Sequence, residues 1–265
     1  MLVLRRFSAL GSFAAVAIAA GLLTTDPRPA AGQTVEFEVG KTLYENPLSG
    51  PEDIEGWILE SSEEGHPAIT FPHGRMRMES DVHFLLWHPD DFPDRIAVSW
   101  DFQPRIDTGL AMFWIAATGE DGKDLFDPSL APREGHYHEY RRGDINALHV
   151  AYFRRNPHEI GFQICSLRKT TVHDDGPIMQ RRPDPLPSAR DATRPYRMQA
   201  IKYGPYFRLT IDDMVVIDWK DDGAPDSVLA GGKIGFRQMA GLIADYGNLT
   251  VQEVVIKKSE SYSAR

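Results

Sequence analysis

The sequence predicts an all-β protein, a sandwich of antiparallel sheets, on three observations. Short period-two segments recur between clusters of Gly, Pro, Asn and Asp, the pattern of half-buried strands separated by turns. Helical periodicity appears nowhere at length. The chain has 265 residues, and a length of this order suits one sandwich or barrel.

The first element lies outside the fold. Met1 to Gln33 carries Arg5 and Arg6, an apolar run from Phe13 to Leu23, and small residues at Ala30, Ala31 and Gly32, which together read as a secretory signal peptide. The Arg5-Arg6-Phe7 start hints at the twin-arginine route, but the residues around it match that signal poorly, which favours the general pathway. The run is shorter than the ~20 apolar residues of a spanning helix, so the expected mature protein is soluble and periplasmic or secreted. One domain is expected over 34–258, followed by a polar tail over 259–265.

Strands are then predicted over Arg75 to Met78, Val82 to Trp87, Ile96 to Gln103, Gly109 to Ala117, Ala147 to Arg154 and Ile160 to Lys169. They continue over Tyr196 to Tyr203, Tyr206 to Ile211, Met214 to Trp219, Gly232 to Met239 and Leu249 to Lys257. Ile211-Asp212-Asp213-Met214 reads as a tight hairpin, because Asp tolerates turn conformations and satisfies its own backbone. Long connections over Thr118 to Asp144 and Thr170 to Arg194 interrupt the rhythm, and loops of such length in a compact domain are usually either functional or disordered. The first contains the run His136-Tyr137-His138-Glu139-Tyr140.

The single cysteine, Cys165, excludes an intramolecular disulfide, and its place on an apolar strand marks it as packing. A net charge of −9 gives no global attraction to nucleic acid or anionic membrane. Arginines nonetheless crowd the middle of the chain, at Arg133, Arg141, Arg142, Arg154, Arg155, Arg168, Arg181, Arg182, Arg190, Arg194 and Arg197. Such a patch can hold a carboxylate or sulfate, since guanidinium pairs with these anions bidentately.

The segment from Gly143 to Arg155, Gly-Asp-Ile-Asn-Ala-Leu-His-Val-Ala-Tyr-Phe-Arg-Arg, strongly resembles the YesU-like family, a domain-of-unknown-function family. Further matches are Asp124 to Leu130, Asp184 to Ser188, Pro195 to Met198 and Gly232 to Ala240, and the similarity runs in order from about Leu43 to Val255. The resemblance implies a concanavalin A-like jelly-roll sandwich of two antiparallel sheets, a fold shared by lectins, glycoside hydrolases and polysaccharide lyases. It also implies a setting of pectin-type polysaccharide use, and no settled reaction. The signal peptide departs from that pattern and moves the work outside the cytoplasm.

Carbohydrate, anionic in character, is therefore the expected partner. β-Elimination on a uronate needs a group to neutralise the carboxylate, a base for the C5 proton and an acid for the leaving oxygen, roles that Arg, Asn, His and Tyr fill without metal. Arg154, Arg155 or Arg197 are candidates for the first role, His149 or His138 for the second, and Tyr140 or Tyr152 for the third. Strict alternation places Asn146, Leu148, Val150, Tyr152 and Arg154 on one strand face and His149, Ala151 and Phe153 on the other. If the His149 face lines a groove, His149 is a base with Asn146 or Arg155 at the rim; if it faces the core, His149 is a buried structural histidine. Gln238 and His83 complete the substrate-binding candidates, His83 with Asp81 at an edge of the groove.

A retaining hydrolase would want two carboxylates about 5 Å apart. Glu139 with Asp144 is the nearest pair, and the Glu-x-Asp-x-x-Glu strand motif is absent. A non-catalytic carbohydrate-binding module is the third reading. No metal is assigned: His136, His138 and Glu139 would need a further ligand from His149 or His173. A structural calcium is conceivable on the acidic run Asp218-Trp219-Lys220-Asp221-Asp222-Gly223.

Overall fold

A computed structural model describes residues 35–62, 64–156, 163–172 and 174–257. The predicted signal peptide, the polar tail, His173 and the start of the strand placed at Ile160 lie outside the described residues.

The strands are β1 (Phe37–Asn46), β2 (Ile58–Ser61), β3 (Ala68–Thr70), β4 (Met76–Glu79), β5 (Phe84–Trp87), β6 (Ile96–Pro104), β7 (Gly109–Gly119) and β8 (Ile145–Arg155). They continue with β9 (Ile164–Thr170), β10 (Ile178–Pro183), β11 (Tyr196–Tyr203), β12 (Tyr206–Ile211), β13 (Met214–Lys220), β14 (Lys233–Gln238) and β15 (Ile243–Ile256). Among the described residues one α-helix, α1 (Tyr137–Arg141), lies between β7 and β8. The described residues from Glu36 onward belong to one compact unit. Among them, β13-β12-β11-β6-β15-β4-β3, with β1 on β15, form an eight-stranded sheet, and β10-β9-β8-β7-β14-β5-β2 a seven-stranded one. All the strand pairings are antiparallel. The jelly-roll sandwich is thus the observed fold.

The two inner faces meet in an aromatic core. Trp100 of β6 stacks on Phe113 of β7 at 4.4 Å and meets Phe236 of β14 at 5.7 Å, while Phe102 lies edge-on to Tyr152 at 5.0 Å. Burial at this density supplies the stability that a chain without disulfides requires. The hairpin turn is as expected: Ile211 pairs with Met214, and Asp212 and Asp213 take φ of 46° and 64°, the left-handed pair that the two-residue turn demands.

Four strands escape the sequence pattern, β1, β2, β3 and β10. β1 is largely exposed, β3 has three residues, and β10 lies inside the Pro-bounded connection with Arg181 and Arg182 exposed. The seven-stranded sheet is covered on its outer face too. Residues 119–144 fold back over it, so Trp87, Met112 and Trp114 are buried there with Leu125 and Tyr140. β7, packed on both sides, accordingly reads as a nearly unbroken apolar run.

One irregularity decides where the basic residues go. Ala111 pairs with Phe153 and Met112 with Ala151, so Tyr152 is an extra residue, a β-bulge. Both Tyr152 and Phe153 turn into the inter-sheet core, and the alternation restarts one step out of phase. Arg154, opposite the outer-face residue Leu110, therefore joins His149 on the outer face, correcting the strict alternation that set them apart.

Candidate functional site

The outer face of the seven-stranded sheet is built from the inside outward by Glu60 of β2. Its carboxylate, nearly buried, accepts from the Trp87 indole at 2.8 Å and the Tyr140 hydroxyl at 2.8 Å through one oxygen, and from the Arg133 guanidinium at 3.0 and 2.8 Å through the other. These bonds dock the 119–144 connection onto the sheet. Gly135 makes the closest approach, at φ 85°, where a Cβ would stand 2.3 Å from the His83 carbonyl oxygen. Glu139 closes the first turn of α1 by accepting from the backbone N–H of Glu134 at 2.8 Å and of His136 at 3.1 Å.

Docked this way, α1 sends Tyr140 down to Glu60 and leaves Tyr137 half-buried above β8. The Tyr137 ring stands edge-on to His149 at 5.9 Å, with the Arg237 guanidinium 5.3 Å and that of Arg141 5.9 Å from its centroid. Burial raises the Tyr137 phenol above its usual range, and Arg168, Arg237, Arg141 and Arg154 all pull it back down. Small, buried residues pair on the same face, Ala151 of β8 with Ser166 of β9. Arg181 of β10 stands opposite Ser166, and Arg168 opposite His149, and facing residues on paired strands share a face. The face thus gathers Arg141, Arg154, Arg168, Arg181 and Arg237 on a chain of net charge −9. Asp175 is paired to Arg141 at 3.1 Å and to Arg142, which hold its carboxyl down to about 2.

His149 itself is fully buried. It stacks on Trp114 at 4.1 Å, and its Nε2 lies 3.3 Å from the Thr170 hydroxyl. Burial, reinforced by Arg168, Arg237 and Arg141, holds it well below the usual imidazole range, so it is a neutral wall of the site behind Tyr137. His83 is half-buried at the other side of Arg237. Its Nδ1 accepts from the Ala240 N–H at 2.9 Å, so the neutral ring carries its proton on Nε2, and burial lowers it below 6.5.

Several sequence candidates fall elsewhere. Tyr152 lies in the inter-sheet core against Trp100 and Phe102, and Gln238 is buried on the same side, bonded to the Tyr246 hydroxyl. Neither can meet a polymer. Tyr140 is also buried; desolvation, then Glu60, pushes its phenol far above the usual range, so it is an anchor and not an acid. Arg155 is locked to Asp184 at 2.7 Å and to the Leu186 carbonyl at 2.6 Å. Arg197 belongs to the eight-stranded sheet, where it meets Asp101 at 3.3 Å and the Asn248 carbonyl at 2.7 Å. Asn146 bonds the Gly119 carbonyl at 3.4 Å and the Val172 N–H at 3.1 Å, tying two connections together at the rim. His138 lies on exposed α1, stacked with His136 at 5.7 Å.

The expected carboxylate pair also dissolves, since Asp144 accepts from the Ala131 N–H at 2.6 Å while Glu139 caps α1. Glu139 instead gathers with Glu134 and His136, their ligand atoms within 4.8 Å of one another. In the acidic run, Asp218 is paired to Arg208 at 3.1 Å and Asp221 to Lys169 at 2.9 Å. Those carboxylates are already matched by cations. Sequence reasoning missed Tyr137, Arg237 and Glu60 as site residues; the crowding of mid-chain arginines was the one signal pointing to Arg168 and Arg181.

A two-sheet jelly roll with a basic, tyrosine-centred outer face is the class that fold and site define. The chain belongs to the DUF1961 family, a domain of unknown function, whose model matches residues 41–251. The uncharacterized protein YesU of Bacillus subtilis (strain 168) is 42% identical over 224 residues, 83% of this chain and 99% of that protein. A Bacillus subtilis protein of unknown function with a galectin-like fold superposes with a TM-score of 0.77 at 42% identity, covering 84% of this chain and 100% of that one. More distantly, the κ-carrageenase of Pseudoalteromonas carrageenovora, in complex with an oligotetrasaccharide of κ-carrageenan, gives a TM-score of 0.51 at 8% identity over 88% of this chain and 100% of that chain. That last likeness is one of fold.

Proposed function

We propose that this is an exported carbohydrate-active protein that binds a uronate-containing poly- or oligosaccharide on the outer face of the seven-stranded sheet and cleaves it by β-elimination. The observation that carries the reading is the Tyr137 phenol set among Arg141, Arg154, Arg168 and Arg237. Guanidinium at a uronate carboxylate makes the C5 proton acidic by stabilising the charge that develops there. Tyr137, in its phenolate form, takes that proton; the electron pair forms the C4–C5 double bond and the C4–oxygen bond breaks. The phenol then returns its proton to the leaving oxygen, so that one group serves as base and acid in turn. A sandwich that handles a polysaccharide chain has a precedent in the κ-carrageenase fold neighbour. A hydrolytic reading has one observation in its favour, the Glu134 and Glu139 carboxylates at the rim, but Glu139 is already engaged as a helix cap.

The test is incubation of the mature protein with a panel of pectic, glucuronan and ulvan-type polymers, following the ultraviolet band of an unsaturated uronate. A rising signal lost in Tyr137→Phe supports elimination. New reducing ends without absorbance would transfer the chemistry to Glu134 and Glu139, and saturable binding without either would leave a binding module.

A further inference from the structure

Arg237 is fully buried on the outer side of β14. Its Nη2 donates to the Gly135 carbonyl at 2.9 Å and its Nη1 meets the Met112 sulfur at 3.7 Å. Its Nε has no hydrogen-bond partner among the described residues, and no carboxylate among them pairs with it. The groups that face it are Tyr137, Tyr140 and Glu139 from the α1 segment, His83 ahead of β5, and His149 from β8. Arg141, Arg154 and Arg168 face the same tyrosine from α1, β8 and β9. A cation buried without a counterion is costly, and an apolar side chain of similar volume would fill the space without that cost. The charge itself is therefore what the position retains.

We propose that Arg237 is a positioning residue for proton transfer at Tyr137: a fixed charge beneath the ring, out of reach of salt and water, that favours the phenolate form on which the cleavage depends. The proposal rests on the reading of Tyr137 as the group that moves the proton. Arg141, Arg154 and Arg168 are only partly buried, and Arg141 already pairs with Asp175, so their field at Tyr137 is shared with other groups and screened by solvent. Arg237 is sealed behind Tyr137, Tyr140 and Met112; burial lowers its guanidinium to about 10 while Tyr140, Tyr137 and Glu139 pull it back up, so it stays charged across the neutral range with no carboxylate paired to it among the described residues. Low local dielectric makes such a charge stronger at a given distance than an exposed one.

The experiment places 3-fluorotyrosine at position 137 of the otherwise intact mature chain and follows its fluorine resonance against pH, in wild type, Arg237→Gln and Arg237→Met. Gln keeps a donor for the Gly135 carbonyl without the charge; Met keeps the stem. Removing the cation raises the phenol's midpoint by about one pH unit in both variants, the size of a unit charge at this range in a partly screened interior, while thermal melting stays near wild type. A mere structural pin gives the opposite sign, because a released α1 exposes Tyr137 and brings its midpoint down. That result, an unchanged midpoint, or loss of the fold in both variants overturns the proposal. The titration uses no substrate and so stands or falls apart from the cleavage reading. On an active polymer, a lyase whose pH profile ignored Arg237→Gln would overturn this proposal alone.

Discussion

Glu60 offers the sharpest test of how the site is held, because one side chain joins the sheet, the connection and the tyrosine helix. In Glu60→Gln the shape persists, but one oxygen becomes an NH2. Whichever way the amide turns, either the Arg133 guanidinium or the Trp87 indole and Tyr140 hydroxyl face a donor in place of an acceptor. Arg133 is 5% exposed, and removing one partner of a buried ion pair costs about 3–5 kcal/mol. A stranded buried donor adds roughly 1–3 kcal/mol. Neighbouring losses overlap, and the amide retains part of one bond, so the expected destabilisation is about 4 kcal/mol. For a domain of this size that corresponds to a fall in Tm of about 10 °C, read by urea titration and thermal melting. Limited proteolysis should find new cleavage within 119–144, and polymer cleavage should fall with it. A loss below ~1 kcal/mol with an unchanged proteolytic pattern would refute the argument that Glu60 docks the connection.

Tyr137→Phe should reduce elimination by about 10²–10⁴-fold, the usual range for an acid/base group, while polymer binding by calorimetry stays within a few fold of wild type; equal loss of both would place Tyr137 in binding. Arg168→Gln and Arg181→Gln should each weaken polymer binding and flatten its dependence on salt, and an unaltered salt dependence in both would move the polymer off this face. The elimination rate should climb with pH across the neutral range, because burial leaves the phenol above its ordinary value and the reactive phenolate grows as pH rises; a rate that falls over that range would exclude a phenolate base. His149, held below 6.5 in the folded state, binds its proton more readily unfolded. Its contribution to stability is therefore lost as pH falls below about 6.5, by up to ~1.4 kcal/mol per unit. His83 and His88 are shifted in the same direction, so His149→Phe, which keeps the stack on Trp114, should flatten but not abolish the slope in urea titrations between pH 4 and 7.

Much of the sandwich was legible because strands that divide core from solvent print their alternation on the sequence. β11 and β12 run over the very residues expected, Tyr196–Tyr203 and Tyr206–Ile211, and the two aspartates between β12 and β13 declare their turn. β1 and β10 print less, having little to bury. The site was harder to read, for a reason specific to β8. Alternation holds only while every residue is paired, and the extra Tyr152 shifts everything after it by one. Tyr152 stays on the core face it shares with Leu148 and Val150, Phe153 joins it there, and an arginine expected on the far side joins His149.

The choice between Tyr137 and Tyr140 shows why composition could not finish the work. They lie three apart on a five-residue helix, equal in chemistry and nearly equal in sequence setting. What separates them is a carboxylate 80 residues earlier in the chain, which takes the Tyr140 hydroxyl at 2.8 Å and leaves the other phenol to the arginines. Since Glu60 also holds Trp87, the indole against which Trp114 and, behind it, His149 are packed, the same carboxylate fixes both the floor and the wall of the site. The reactivity proposed for Tyr137 is in this sense a property of β2. Substitutions around Glu60 should therefore change polymer cleavage before any residue that touches the polymer has been altered.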